Sequence, residues 1–216
     1  MDSMDSMDRW SKFLKEVEGT EFPYQIYCDM DGVLVNFEDG VIEYVNGRLK
    51  NMEDGDKYQR KLINALDKLG REYEITLTDI SFDKALRLNA ARNYMYKMVG
   101  KNREFWANLD WLPEGKKLWD YIKKYDPIIC TAPMSDEGAE GKIDWIEKNL
   151  GLNRSRVILT SDKFEHASES NLLIDDMLKF LEPWIDAGGK GIHHQSTEET
   201  IRRLERVGSE ALSRNK

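Results

Sequence analysis

From Glu114 onward, short apolar runs alternate with helical patterns, and this alternation restricts the fold more than any other property of the chain. The spacing predicts a helix over 114–124, a strand over 127–130 and a helix over 140–150. Strands over 156–159 and 171–174, a short helix over 177–184, a strand over 191–193 and a surface helix over 197–213 complete the series. Strands that alternate with helices pair in parallel, because each crossover returns the chain to the same end of the sheet. The expected fold class is therefore α/β, a doubly wound parallel sheet, with ligands at the carboxyl ends of its strands.

The first half fits the same sheet with one interruption. Tyr24 to Cys28 reads as a strand that stops at Asp29-Met30-Asp31-Gly32, and about a hundred residues then pass before the strand at 127. Between them lie helical patterns over 37–49, 58–69 and 83–99, with a polar break at 51–56 before the second. This is too regular for a loop and too short for a second sheet domain, so a small helical insertion is expected. The predicted organisation is a disordered start over 1–8, a core domain over 9–35 and 107–216, and a helical cap over 36–106. A helix over 9–17 opens the core.

Composition narrows the function. A net charge of -8 argues against broad nucleic-acid binding, which needs basic surface to displace counterions from the backbone. Small anionic substrates remain accessible, since a metal and one or two cations suffice for one phosphate. No apolar stretch approaches the ~20 residues that span a bilayer, and 1–8 has neither a basic nor an apolar signal region. The two cysteines, Cys28 and Cys130, sit inside apolar runs and read as buried thiols in neighbouring strands. A reducing, cytoplasmic setting is expected.

The chemistry lies at the predicted strand ends. Asp29 and Asp31, two apart on an extended segment, point to one side, and Gly32 permits a sharp exit. Thr131 ends the strand at 127–130, Asp175-Asp176 end the strand at 171–174, and Lys163 follows the strand at 156–159. Four carboxylates gathered at one edge repel one another without a cation. An all-oxygen set suits a hard ion such as Mg2+. One Asp would then attack phosphorus while the other transfers the proton, with the hydroxyl and ammonium holding phosphoryl oxygens.

In order along the chain, Asp29-Met-Asp-Gly-Val, Thr131, Lys163 and Asp175-Asp176 resemble the four motifs of the haloacid dehalogenase (HAD) superfamily of phosphatases. The resemblance implies an HAD-like core with a small helical cap after the first strand. It makes Asp29 the nucleophile, Asp31 the acid/base with its carbonyl on the metal, and Thr131 and Lys163 phosphate ligands. Asp175 becomes a metal ligand and Asp176 its partner, in roles that are interchangeable on the sequence; the metal set is Asp29, Asp31, Asp175 and Asp176. Glu104-Phe105-Trp106-Ala-Asn-Leu109, Leu112-Pro113-Glu-Gly115, Ile129-Cys130-Thr131-Ala132-Pro133 and Lys142-x-x-Trp145-Ile146 are similar to the 5'(3')-deoxyribonucleotidases, the cytosolic and mitochondrial type C family. That likeness covers 25–38 and 103–193 and leaves the middle of the cap unmatched. It adds Lys142 as a further phosphate-binding cation, against which stands an exposed lysine at a helix start. It makes Phe37, Phe105 and Trp106 candidates to stack on a nucleobase. For Phe105 and Trp106 packing of the cap's own core is an equal alternative, and Tyr44 favours core. Ser161 stands where the family often has a basic residue. Members of the family are often homodimers, although no exposed apolar stripe marks such a face in this sequence.

The expected activity is thus Mg2+-dependent hydrolysis of (deoxy)nucleoside monophosphates, a small-molecule nucleotide substrate, through an aspartyl-phosphate. The rivals are another small phosphoester, a polynucleotide 3'-phosphate, and a binding or regulatory protein without catalysis. Against the last, both Asp29 and Asp31 are present. His193 and His194, adjacent on a strand, face opposite sides and read as a strand end and its loop rather than a metal site.

Overall fold

Five strands form one all-parallel sheet in the order β3-β2-β1-β4-β5. The strands are β1 (Gln25–Cys28), β2 (Ile128–Thr131), β3 (Val157–Leu159), β4 (Asn171–Asp175) and β5 (Lys190–His193). The structure is a computed structural model and describes residues 22–50, 57–81 and 85–214. The expected start over 1–8, the helix over 9–17 and the polar break over 51–56 lie outside the described residues.

Strands β1 to β4 are short, yet each carries an apolar run because both faces of the sheet are covered there, whereas the edge strand β5 buries only Ile192. Alternate residues go to opposite sides. Ile26, Cys28, Ile129, Leu172 and Ile174 join the main core with α6 (Gly115–Ile122), α7 (Asp136–Leu150) and α9 (Thr197–Arg214). Tyr27, Cys130 and Leu173 face the other way, onto Leu181 and Trp184 of α8 (Leu178–Asp186). The two thiols are free and buried in adjacent strands, and burial pushes that of Cys130 up to about 12. Ser135 caps the N-terminus of α7 by accepting from the Gly138 amide at 3.0 Å. Gly151 closes α7 in the left-handed conformation.

Between residues 36 and 108 the described residues contain helices as their only regular elements: α1 (Phe37–Lys50), α2 (Lys57–Lys68), α3 (Leu77–Ile80), α4 (Asn89–Val99) and α5 (Arg103–Ala107). One prediction is corrected here. The helix expected over 83–99 begins at Asn89, and α3 precedes it. The Leu88 amide donates to Asp79 O at 3.0 Å, so the chain before Asn89 is tied to α3 and not to its own preceding turn. Asp79 itself is buried and accepts from both Arg71 Nη atoms (2.6 and 2.7 Å), the Thr76 amide (2.8 Å) and Thr76 Oγ1 (3.0 Å). Asn46 and Ile75 exchange two further hydrogen bonds that fasten α1 to the segment before α3.

The segment leaves and returns side by side. Val35 bridges Trp111 in antiparallel fashion, the Asn36 amide donates to Asp110 O at 2.9 Å, and the Leu112 amide donates to Leu34 O at 2.8 Å.

Candidate active site

The strand order reverses direction about β1, whose neighbours are β2 on one side and β4 on the other. This is the switch point at which an open parallel sheet leaves a crevice beyond its strand ends. Cys28 pairs in register with Ile129 and Ile174, so the residues that follow emerge together: Asp29 from β1 and Asp175-Asp176 from β4. Asp29 continues the ladder by donating its amide to Ile174 O at 2.9 Å. One carboxylate oxygen from each of Asp29, Asp175 and Asp176 lies within 4.8 Å of the others.

Gly32 makes this approach possible. It has φ +71°, and a Cβ there would sit 2.5 Å from Asp176 Oδ2. Any side chain would displace the carboxylate as well as strain the backbone.

Two buried lysines face the four carboxylates. Lys163 Nζ lies 2.8 Å from Asp29 Oδ1 and 2.6 Å from Asp175 Oδ2. Burial alone would depress its pKa, but Asp29 and Asp175 outweigh burial and hold the ammonium well above its usual range. Lys142 Nζ donates to Asp31 Oδ2 at 2.5 Å and to Thr131 Oγ1 at 2.8 Å. Lys142 is 0% exposed, which removes the reading of a solvated lysine. The cations thus divide the acids between them, one serving Asp29 and Asp175, the other Asp31.

Carboxylates still outnumber ammoniums, and the excess is visible. Burial, then the neighbouring Asp29, raises Asp175 to about 6 against the pull of Lys163. Burial, then Asp29 and Asp175, raises Asp176 to about 7. Asp31 is also raised, by burial first, with Lys142 opposing. Asp31 Oδ1 is buried with no hydrogen-bond partner among the described residues, and Asp29 Oδ1 has only its ion pair with Lys163, out of hydrogen-bond alignment. Hard oxygen donors, surplus negative charge and under-used oxygens are what a divalent cation of the Mg2+ type requires. Asp29, Asp175 and Asp176 fit such an ion through their carboxylates, whereas the Asp31 carboxylate is turned to Lys142.

The cluster opens into a cavity of about 840 Å3. Asp29, Asp31 and Asp176 form part of its floor, while α3 and α4 supply an apolar wall that includes Leu77, Ile80 and Met95. The three aromatic candidates separate here. Phe37 lines the cavity, whereas Phe105 and Trp106 lie behind it in the core and are buried. Phe37 stacks on Trp106 at 5.1 Å with ring planes 9° apart, and Phe105 meets Trp106 and Tyr44 edge-on. The histidines diverge as expected. His193 Nε2 pairs with Asp176 O and His194 Nδ1 with Thr200 Oγ1.

Sequence reasoning missed several wall residues, among them Asn36, Glu38, Arg92, Tyr96, Lys179 and Phe180. Asn36, Glu38, Lys179 and Phe180 flank the acidic motifs and were findable by adjacency. Arg92 and Tyr96 share one face of α4 at a spacing of four, and Arg92 Nη2 donates to Tyr96 Oη at 2.7 Å. Tyr94, on another face, is core.

No family profile matches the chain. The mouse mitochondrial 5'(3')-deoxyribonucleotidase is 27% identical over 158 residues, which make up 70% of this chain and 64% of that protein. Among solved structures, a hydrolase from Streptococcus pneumoniae TIGR4 aligns at TM-score 0.47 and 13% identity, covering 85% of this chain and 99% of that one. An HAD-superfamily hydrolase from Ehrlichia chaffeensis aligns at 0.47 and 14%, covering 88% and 99%. Similarity of that order to solved structures says nothing about chemistry.

Proposed function

We propose that the chain is a Mg2+-dependent phosphomonoesterase of the HAD type that hydrolyses (deoxy)nucleoside monophosphates to nucleoside and phosphate. The observation that carries the phosphatase reading is the convergence of Asp29, Asp175 and Asp176 at adjacent strand ends, with Lys163 ion-paired to two of them, beneath a cavity. The nucleotide part rests on the similarity to the mouse deoxyribonucleotidase and on the size and apolar wall of the cavity.

A bound Mg2+ would neutralise phosphoryl charge and relieve the repulsion among Asp29, Asp175 and Asp176. The remaining work falls to the chain's own groups. An oxygen of Asp29 attacks phosphorus as the ester P–O bond breaks, giving an aspartyl-phosphate and an alkoxide leaving group. Asp31, whose raised pKa helps it keep a proton, delivers that proton to the leaving oxygen. Asp31 then takes a proton from water, the water oxygen attacks phosphorus, and the P–O bond to Asp29 breaks to release phosphate. Lys142 orients Asp31, and Lys163 and Thr131 offer donors to the phosphoryl oxygens. The helical segment 36–106 acts as a cap that supplies the wall for the nucleoside, with Phe37 as its aromatic contact.

Phosphate release from 5'- and 3'-(deoxy)nucleoside monophosphates, with Mg2+ and with EDTA, tests this. Metal-dependent turnover favouring deoxynucleotides is expected. Turnover of a generic aryl phosphate with every nucleotide ignored would remove the substrate assignment and keep the chemistry. No release from either ester would remove both.

A further inference from the structure

The contact of helix α5 with α7 is unusually close, and it has a chemical result. A Cβ on Gly141 would lie 2.4 Å from Arg103 O and 2.6 Å from Trp106 Cβ, and one on Gly138 would lie 3.2 Å from Trp106 Nε1. The absence of side chains at both positions lets α5 settle onto α7 and brings the Trp106 indole over the next residue, Lys142. Lys142 Nζ lies 4.8 Å from the centre of that ring. The indole is itself fixed, since Nε1 donates to Val99 O at 2.8 Å and Phe37 stacks on it. On the surface side, Arg103 holds Asp144 through two hydrogen bonds at 2.6 and 2.8 Å and fastens the same pair of helices.

We propose that Trp106 is a positioning residue for the proton-transfer step: its buried ring face holds the Lys142 ammonium against Asp31 and Thr131. Resting on the reading of Asp31 as acid/base, the proposal assigns Trp106 no contact with substrate. An ammonium has three N–H groups, and Asp31 Oδ2 and Thr131 Oγ1 accept two of them. The indole face covers the cation with a surface that attracts positive charge but offers no competing acceptor, an interaction strongest when water is excluded. Lys142 is therefore kept from swinging toward bulk water, and Asp31 keeps one orientation toward the leaving oxygen. Lys163 provides the built-in contrast: it is equally buried, but its partners are Asp29, Asp175 and the Phe180 ring.

Two measurements on Trp106→Leu, with Trp106→Phe as the conservative variant, test the idea in the full chain. The first is acetylation of lysines by an N-hydroxysuccinimide ester, read peptide by peptide. Lys142 and Lys163 are expected to be protected in the wild type. In Trp106→Leu, Lys142 should react about tenfold faster while Lys163 stays protected, and Trp106→Phe should resemble the wild type. Unchanged protection of Lys142 would overturn the proposal. Equal exposure of both lysines would do so too, since Trp106 would then merely fill space. This arm needs no turnover, so it stands or falls separately from the phosphatase assignment. The second measurement compares a deoxynucleoside monophosphate, whose leaving oxygen needs a proton, with p-nitrophenyl phosphate, whose leaving group does not. Trp106→Leu should lower kcat about tenfold for the nucleotide and about threefold or less for the aryl ester, with KM little changed. It should add no further loss in a Lys142→Met background. Equal losses on the two esters, or losses that multiply with Lys142→Met, would refute the role.

Discussion

The strand ends and the helical segment both bury carboxylates, and they treat them in opposite ways. In the helical segment, Asp79 receives two guanidinium N–H groups, one backbone amide and one hydroxyl. Despite burial, Arg71 and Thr76 together hold its carboxyl below the usual range. At the strand ends, four carboxylates share two buried ammoniums, two oxygens go without an aligned donor among the described residues, and Asp175 and Asp176 are pushed up to about 6 and about 7. A buried acid with a full set of donors holds structure together. Buried acids short of donors hold a place for something else, and the shortfall identifies a cation site better than the presence of acids does.

The contrast can be broken most sharply at Asp29. Asp29→Asn should lower phosphate release roughly 10^3-fold or more while leaving the fold intact; substantial turnover would show that the donor-poor cluster is not the reacting one. Chelation comes next. EDTA should abolish turnover, and Mg2+ at 100 times its Kd should raise unfolding stability by about 2.7 kcal/mol, read by urea titration. A stability indifferent to Mg2+ would mean that the shortfall of donors has another cause.

At Asp79 the effects should reverse. Asp79→Asn leaves Arg71 without its counter-charge and should cost about 2 kcal/mol of stability, with a far smaller effect on kcat than Asp29→Asn. The pH dependence has a defined sign. Asp79 binds its proton less tightly folded than unfolded, so its contribution is present above the unfolded carboxylate pKa of ~3.9 and fades as pH falls through the lower folded value. Asp79→Asn should flatten that acid limb of the stability profile, and an unchanged limb would place the responsible carboxylate elsewhere. The smallest effect is expected at Asp120, an exposed acid lowered by Lys123. Asp120→Asn should leave the unfolding midpoint unmoved, because exposed pairs are screened by water.

The sheet and its acidic motifs were legible because a parallel strand announces itself twice, by an apolar run and by the turn that ends it. Asp29, Asp31, Thr131 and Asp175 each follow or close such a run. The helical segment gave weaker signals. Its anchor, Asp79, is one acid among many in the sequence, and nothing local says that Arg71 and Thr76 will surround it. The burial of Lys142 was likewise hidden, since it depends on residues 111 and 11 positions away, Asp31 and Thr131. Adjacent aromatics at Phe105 and Trp106 suggested stacking, but which faces remain open is settled by packing between helices. The spacing of Gly138 and Gly141 was the one local clue to that packing, and it acquires meaning only once α5 is known to lie across them.

The stitch between 34–36 and 110–112 carries a consequence for how such a chain can change over generations. Because the helical segment departs and rejoins through neighbouring backbone positions, the sheet is constrained by that junction and by the packing of α5 on α7, and less by the helices farther out. Closing a longer excursion adds only about 0.6 kcal/mol for each doubling of its length. Lineages can therefore rewrite, lengthen or exchange the outer helices while the acidic strand ends stay put, and under the function proposed above new substrates would become accessible by altering a wall of the cavity alone.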